Sequence, residues 1–129
     1  MALSKEEREE IRRIAEATNR RNRRARERVR QQIAERRELA WSEVGRLVEE
    51  FRALDPQLRR VVVFGSLATD RLKRVEFDID MAVDSHRYLD LLGPALDSAF
   101  NVDLVDLAQA RSHIREAILR DGVEVFHAD

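Results

Sequence analysis

Two aspartates interrupt an otherwise apolar stretch of the sequence, Phe77–Val83. Asp78 and Asp80 are separated by one residue, so in a β-strand their side chains project from the same face, about 7 Å apart. Two carboxylates at this spacing repel each other unless a divalent cation joins them. The pair therefore indicates a metal site or a catalytic site, and the alternative is a chance pairing among the chain's eleven aspartates.

A Gly-Ser pair follows the short β-branched run Val61–Phe64, which is predicted to be a strand buried on both faces. Gly65 at the end of this strand permits a tight turn and lets a ligand approach the main chain. The following N–H groups and the Ser66 hydroxyl can hold a phosphate. The alternative is an ordinary strand-to-helix turn in which Ser66 is the N-cap.

A third acidic segment, Asn101–Leu107, is also predicted to be a strand. Asp103 and Asp106 are three residues apart and must point to opposite faces, so only one of them can join Asp78 and Asp80. Spacing alone does not decide which.

The remaining pattern after Pro56 alternates helix and strand, which predicts an α/β fold with a mixed sheet and helices packed on it. Two helices are expected besides the three strands, and a short strand closes the chain. Their expected ranges are Tyr88–Phe100, broken or bent at Gly93-Pro94; Ala108–Arg120; and a strand over 123–126.

The N-terminal part is predicted to be helical, because it opens with a capping-box pattern at Ser4 and has no glycine or proline as far as about Arg37. One amphipathic stretch runs to about Arg37, and a second, Trp41–Leu54, stops before Pro56. The two are either continuous or kinked around residues 38–42. The expected division is a helical extension over residues 1–55 and a core domain over residues 56–129. The thin apolar stripe of the first stretch consists of Ile11, Ile14, Ala25, Val29 and Ile33.

The composition limits the kinds of site that the chain can form. The chain has no cysteine, which excludes disulfides and thiolate chemistry, and its three histidines are far apart in sequence. A bound metal must therefore rely on carboxylates, which favours Mg²⁺ or Mn²⁺. No run approaches the roughly 18 to 20 apolar residues of a membrane span, and the N-terminus is unlike a signal peptide, so we expect a cytoplasmic protein that does not bind membranes.

The Gly-Ser turn, the Asp-x-Asp strand and the third acidic strand together resemble the nucleotidyltransferase superfamily that includes DNA polymerase beta. The likeness is strongest to its small bacterial minimal nucleotidyltransferases. Their signature matches Gly65-Ser66, Asp78-Ile79-Asp80 and Val102-Asp103-Leu104-Val105, and the resemblance covers about residues 57–127. It favours Asp103 over Asp106. The chain departs from the family pattern at Leu67, Asp70 and Phe77, where members usually have a basic residue, a second glycine and a serine.

The resemblance implies a Mg²⁺- or Mn²⁺-dependent transfer of a nucleoside monophosphate, with ATP as the expected substrate. It assigns Asp78, Asp80 and Asp103 as metal-binding catalytic residues and Gly65 with Ser66 as nucleotide-binding residues. Small members are commonly antitoxins paired with HEPN-domain toxins, so the expected acceptor is a toxin protein. The alternative is a non-catalytic antitoxin that retains the fold and neutralises its partner by binding.

The N-terminal extension raises a separate question of partners. Residues 20–37 contain nine arginines, two glutamates and no aromatic residue, so they are expected to be a solvated helix face rather than a nucleic-acid-binding surface. The apolar stripe needs to be covered, and we expect an identical copy of the chain to cover it; the alternative is a toxin partner on the same surface. The sequence therefore predicts a homodimer formed through the N-terminal helix.

Overall fold

The structure is a computed structural model that describes residues 2–69 and 71–129, so the expectation for Asp70 lies outside the described residues. Its elements are α1 (Lys5–Leu54), β1 (Arg60–Phe64), β2 (Ile79–Asp84), α2 (Tyr88–Asp97), β3 (Val102–Asp106), α3 (Ser112–Asp121) and β4 (Val123–His127). Short 3₁₀ turns follow β1 and β3, over Gly65–Ala68 and Leu107–Gln109.

The four strands form one mixed sheet in the order β3-β2-β1-β4. β1 is antiparallel to both of its neighbours, whereas β2 and β3 are parallel. The two central strands carry the buried side chains, and Val61–Phe64 is covered on both faces, as the sequence predicts. The mixed α/β architecture is thereby confirmed.

Each face of the sheet is covered by a different set of helices. The C-terminal part of α1 packs with α2 on one face, in a core that includes Phe51, Val63, Met81 and Leu91. α3 covers the other face, where Ile118 contacts a smaller apolar cluster. Because side chains alternate along a strand, the residues of β2 and β3 divide between these two faces.

β2 begins at Ile79, two residues later than expected, so Asp78 lies just before the strand. The reason is that the backbone pairing of β2 with its neighbours includes neither Phe77 nor Asp78. The first contact with the neighbouring segment is the hydrogen bond from the Ile79 N–H to the Asn101 carbonyl, at 2.9 Å. On the other side, β1 ends at Phe64, opposite Asp80, and the chain then turns away.

Both C-terminal helices are shorter than expected. α2 runs through Gly93 and Pro94 without a break, because the packing of Leu91 and Ala95 in the core outweighs the lost hydrogen bond and the clash that a proline causes. It ends at Asp97. α3 begins at Ser112 rather than Ala108, since the Asp106 carboxylate accepts a hydrogen bond from the Ala108 N–H and caps a separate 3₁₀ turn there.

The two N-terminal stretches form one continuous helix, α1. Its start is capped by the Ser4 hydroxyl, which accepts a hydrogen bond from the Glu7 N–H at 3.1 Å. Its end is fixed by Asp55, which is almost fully buried. The Asp55 carboxylate accepts hydrogen bonds from the Ser85 hydroxyl, at 2.6 Å, and the Gln57 N–H, at 2.9 Å, and so ties α1 to the segment after β2.

The part of α1 before the core is called the arm here and comprises residues 5–35. All of it lies within the described part of the chain, and none of its residues is buried. Arg36 stacks on the Phe100 ring at 4.3 Å, and Ala40 is the first buried residue of α1. At 1.5 Å per residue the arm extends about 45 Å. Its stripe is open to solvent, with Ile11 52% and Ile14 58% exposed.

The arm's stripe continues the core-facing stripe of α1 in an 11-residue repeat. Such a repeat corresponds to about 3.67 residues per turn, so the repeating positions stay on one side of the helix. The apolar side of the arm therefore points in the same direction as the side of α1 that packs on the sheet. The three rows of the repeat are Ile11, Asn22, Ile33 and Val44; Ile14, Ala25, Arg36 and Leu47; and Thr18, Val29, Ala40 and Phe51.

The C-terminal end of α1 and the strands share one core. The expected division into a helical extension and a core domain at residue 55 remains a prediction. Within the described residues, no helix combines the length and the hydropathy needed to cross a bilayer.

Candidate active site

Gly65 and Asp80 approach each other closely at one end of the sheet. Gly65 follows β1 with φ at 73°, a left-handed conformation that side chains other than glycine rarely adopt. A Cβ atom at this position would overlap the Oδ2 atom of Asp80. The Asp80 carboxylate therefore lies directly against the glycine backbone, and only glycine leaves room for it.

Ser66 lies inside the 3₁₀ turn that Gly65 begins. The N-cap of this turn is Phe64, and no side chain caps it, so the alternative in which Ser66 is an N-cap is wrong. The Ser66 carbonyl instead accepts hydrogen bonds from the N–H and the hydroxyl of Thr69, both at 3.3 Å. The turn is thus closed by its own backbone.

Asp80 and Asp103 are direct partners in the parallel pairing of β2 and β3. Neighbouring strands are about 4.8 Å apart, and both residues share a face with Ala82 and Val105, which contact the cluster under α3. Both carboxylates therefore project from the α3 face of the sheet.

The environment of Asp80 disfavours its ionised form. Burial, followed by the negative charges of Asp103 and Asp78, raises the pKa of Asp80 to about 6. The mutual repulsion expected from the sequence is thus present, and it involves all three aspartates. A cation placed among them would remove this penalty, because it offsets the charge that the carboxylates impose on one another.

Asp78 is oriented by a neighbour that the sequence analysis did not single out. The Asn101 side-chain amide donates a hydrogen bond to the Asp78 Oδ1 atom at 2.8 Å. Asn101 directly precedes β3, and the parallel register brings it beside Asp78, because Ile79 pairs with Val102. This contact follows from the parallel pairing of the two acidic strands, and that pairing could not be predicted from the sequence.

Asp106 lies on the other face of the sheet from Asp103. Its carboxylate accepts the hydrogen bond from the Ala108 N–H, at 3.1 Å. It faces Tyr88 of α2, whose pKa is raised by burial and then by the charges of Asp106 and Asp103. The Tyr88 hydroxyl donates to the Leu104 carbonyl at 2.5 Å and so anchors β3 to α2.

A cavity of about 310 Å³ opens beside the aspartates. Ser66, Asp78 and Asp80 line it together with the segment Arg71–Phe77. A larger cavity of about 940 Å³ lies at the other end of β3, near Tyr88 and Asp106, and contains none of the predicted site residues. The structure therefore brings Gly65, Ser66, Asp78, Asp80 and Asp103 to one end of the sheet and places Asp106 elsewhere.

The donor atoms of this site suit a magnesium ion. Carboxylate oxygens are the side-chain ligands that Mg²⁺ prefers, and burial together with the charges of the two neighbouring aspartates raises the pKa of Asp80. Among residues 2–69 and 71–129, however, no three His, Cys, Asp or Glu side chains are already gathered closely enough to hold a metal ion. The donors fit magnesium in chemical type.

A strand that ends in a glycine turn, packed against an Asp-x-Asp strand and a parallel acidic strand, defines a nucleotidyltransferase-type domain. The chain belongs to the polymerase beta nucleotidyltransferase family, whose model matches residues 47–129. The resemblance seen in the sequence is thereby confirmed. None of the curated proteins matches the chain in sequence.

Several solved toxin–antitoxin structures are similar to the chain. One, a toxin–antitoxin structure with AMP-PNP, is 27% identical, with a TM-score of 0.51 over 68% of this chain and 73% of that one. A mutant MntA–HpeT structure is 23% identical, with a TM-score of 0.54 over 66% and 72%. A structure of a tri-AMPylated HEPN toxin from Shewanella oneidensis in complex with MNT antitoxin is 22% identical. Its TM-score is 0.52, over 68% of this chain and 72% of that one.

We expect Gly65→Ala to lower the free energy of unfolding by roughly 1–3 kcal/mol, because the new Cβ requires a strained φ and displaces the Asp80 carboxylate. Gly45→Ala is the matched control. Gly45 lies inside α1 with open space around it, so alanine there should stabilise by about 0.5–1 kcal/mol. Urea unfolding of both variants measures the difference, and equal effects would contradict the Gly65–Asp80 contact.

We expect Asp80→Asn to stabilise the protein at pH 8 in the presence of a chelator. The raised pKa means that ionised Asp80 weakens the fold as pH rises from its unfolded pKa through about 6. The gain should be about 1 kcal/mol after discounting for partial exposure, and it should vanish near pH 4. Thermal unfolding at both pH values measures it, with the exposed Asp97→Asn as the control. A gain that does not depend on pH would contradict the assignment.

Proposed function

We propose that this protein is a magnesium-dependent nucleotidyltransferase that transfers AMP from ATP to a protein partner of the HEPN toxin type. The observation that carries the proposal is the pairing of Asp80 with Asp103 beside the Gly65 turn, with Asp78 close enough to add to their repulsion. Family membership supports the class of reaction.

The reaction forms one phosphorus–oxygen bond and breaks another. The acceptor hydroxyl oxygen attacks the α-phosphorus of ATP, the bond to the bridging α–β oxygen breaks, and pyrophosphate leaves with that electron pair. Bound Mg²⁺ would offset charge on the triphosphate and lower the pKa of the acceptor hydroxyl. Asp78, Asp80 and Asp103 would hold the ion, and Asp103 would take the acceptor proton.

The other site residues position the nucleotide. The backbone at Gly65 can approach a phosphate closely because it has no side chain, and Ser66 supplies an N–H and a hydroxyl at the mouth of the cavity. Asn101 holds one oxygen of Asp78 and leaves Oδ2 free for a cation. The chain's own residues thus fix charge and orientation, which is the main protein contribution in phosphoryl transfer.

The similarity to complexes of toxins with antitoxins, one of them holding an AMPylated HEPN toxin, supports a toxin as the acceptor. A non-catalytic antitoxin is the second candidate. It is favoured by Leu67, which occupies the place of the family's usual basic residue and is fully buried, so it cannot contact phosphate. Both candidates predict binding to the toxin, and only the first predicts covalent transfer.

The two aspartates of β3 provide a matched test of the transferase. Asp103→Asn should abolish the transfer of labelled AMP from ATP to a copurified candidate HEPN toxin, because it removes a ligand and the proton acceptor. Asp106→Asn should retain most of the activity, because that side chain faces α2. Autoradiography and intact-mass measurement of the toxin report the transfer.

Loss of activity in Asp106→Asn with retention in Asp103→Asn would refute the assignment. Toxin binding without AMP transfer by the wild-type protein would establish the non-catalytic alternative.

We also propose that the arm joins two copies of the chain in an antiparallel pair. Its larger apolar residues are spaced almost evenly about Asn22, so a two-fold axis there would bring Ile11 against Ile33 and Ile14 against Val29. The two arginine-rich centres would lie near each other and repel. Association should therefore strengthen as salt screens this repulsion.

Light scattering on the full chain should give the mass of a dimer, more completely in about 0.5 M salt than at low ionic strength. A truncated chain that begins at Glu38 should be monomeric under both conditions. A monomeric full-length protein would refute self-association, and a truncated protein that remains dimeric would place the interface on the core.

A further inference from the structure

The cavity beside Asp78 and Asp80 has a basic rim that the site described above does not use. Arg71, Lys73 and Arg74 all line it together with Ser66. All three side chains are exposed, so their charged groups can reach a ligand in the cavity. Glu76 is also exposed there and reduces the net positive charge of the rim.

The position next to Ser66 cannot contribute a charge to this rim. Leu67 is fully buried and packs in the core under α1 and α2. Leu67 does not line the cavity, because the 3₁₀ turn directs its side chain into the core. The basic residues that line the cavity come from later in the chain instead.

Among the three rim cations, Arg71 is already engaged. Its Nη2 donates to the Asp121 carboxylate at 2.7 Å and its Nε to the Thr69 hydroxyl at 3.2 Å. Asp121 is the last residue of α3, so these bonds fix the rim segment to the helix on the same face of the sheet. Within the described residues, Lys73 and Arg74 form no hydrogen bond or ion pair through their side chains.

We propose that Lys73 and Arg74 bind the terminal phosphates of a nucleoside triphosphate in this cavity, and that Arg71 positions them. The inference rests on the proposed function and deepens it by naming the cations that hold the leaving group. Three neighbouring carboxylates and a polyphosphate together carry more negative charge than a bound Mg²⁺ would offset, so cations at the same mouth would strengthen binding. Lysine and arginine both form charge-assisted hydrogen bonds to phosphate.

The test uses the full chain and a double variant, Lys73→Ala with Arg74→Ala. Calorimetric titration with ATP and Mg²⁺ should show an affinity loss of roughly tenfold to a hundredfold, the size expected for lost charged hydrogen bonds. Titration with AMP should change by less than about twofold, since AMP lacks the terminal phosphates. Arg23→Ala with Arg24→Ala removes the same charge from the exposed arm and is the matched control, which should bind ATP as the wild type does.

The outcomes separate this inference from the function on which it rests. Unchanged ATP binding by the double variant, with binding lost in Asp80→Asn, would overturn the inference and leave the proposed function standing. A wild-type chain that binds no ATP in the presence of Mg²⁺ would overturn both. Exchange of the two cations, Lys73→Arg with Arg74→Lys, should keep most of the affinity; loss of affinity in that variant would also count against phosphate binding.

Discussion

The contact between the Asp80 carboxylate and the Gly65 backbone is the constraint on which the site depends. It fixes where β1 must end, because a side chain at position 65 would occupy the space of the carboxylate. It also fixes the register of β2, since Asp80 lies opposite Phe64 at the last pair of the ladder. The parallel strand β3 then places Asp103 beside Asp80 and completes the group of interacting charges.

The three aspartates place negative charge in a partly buried position, which is unfavourable for the stability of the fold. The raised pKa of Asp80 reports a free-energy cost, which burial and the two neighbouring aspartates impose. The cost is tolerated because the central strands are buried on both faces and the helices on either side supply the packing. Strain of this kind is common at functional sites, where the surrounding structure keeps unfavourable groups in place.

The sequence predicted the order of the helices and strands after Pro56, but not all of their bounds or neighbours. Val61–Phe64 and the Asp-x-Asp strand were evident from β-branched and alternating patterns, which depend only on local periodicity. The contact of Asn101 with Asp78 depends on the parallel pairing of two strands separated by α2, which no local pattern encodes. The burial of Leu67 likewise depends on the direction of a 3₁₀ turn. The 11-residue repeat of α1 was hidden because polar residues occupy several of its positions.

α1 is one continuous helix from the arm into the core. The direction in which the arm's apolar side points therefore depends on the number of residues between the arm and the core. Each residue of an α-helix turns the chain by about 100°, so one residue inserted near Glu38 would swing the arm's apolar side well away from its present direction. Removing eleven residues from the arm would shorten its reach by about 16 Å and change that direction by only about 20°. Evolution can therefore alter the length of the arm in steps of one repeat, whereas single insertions change what it faces.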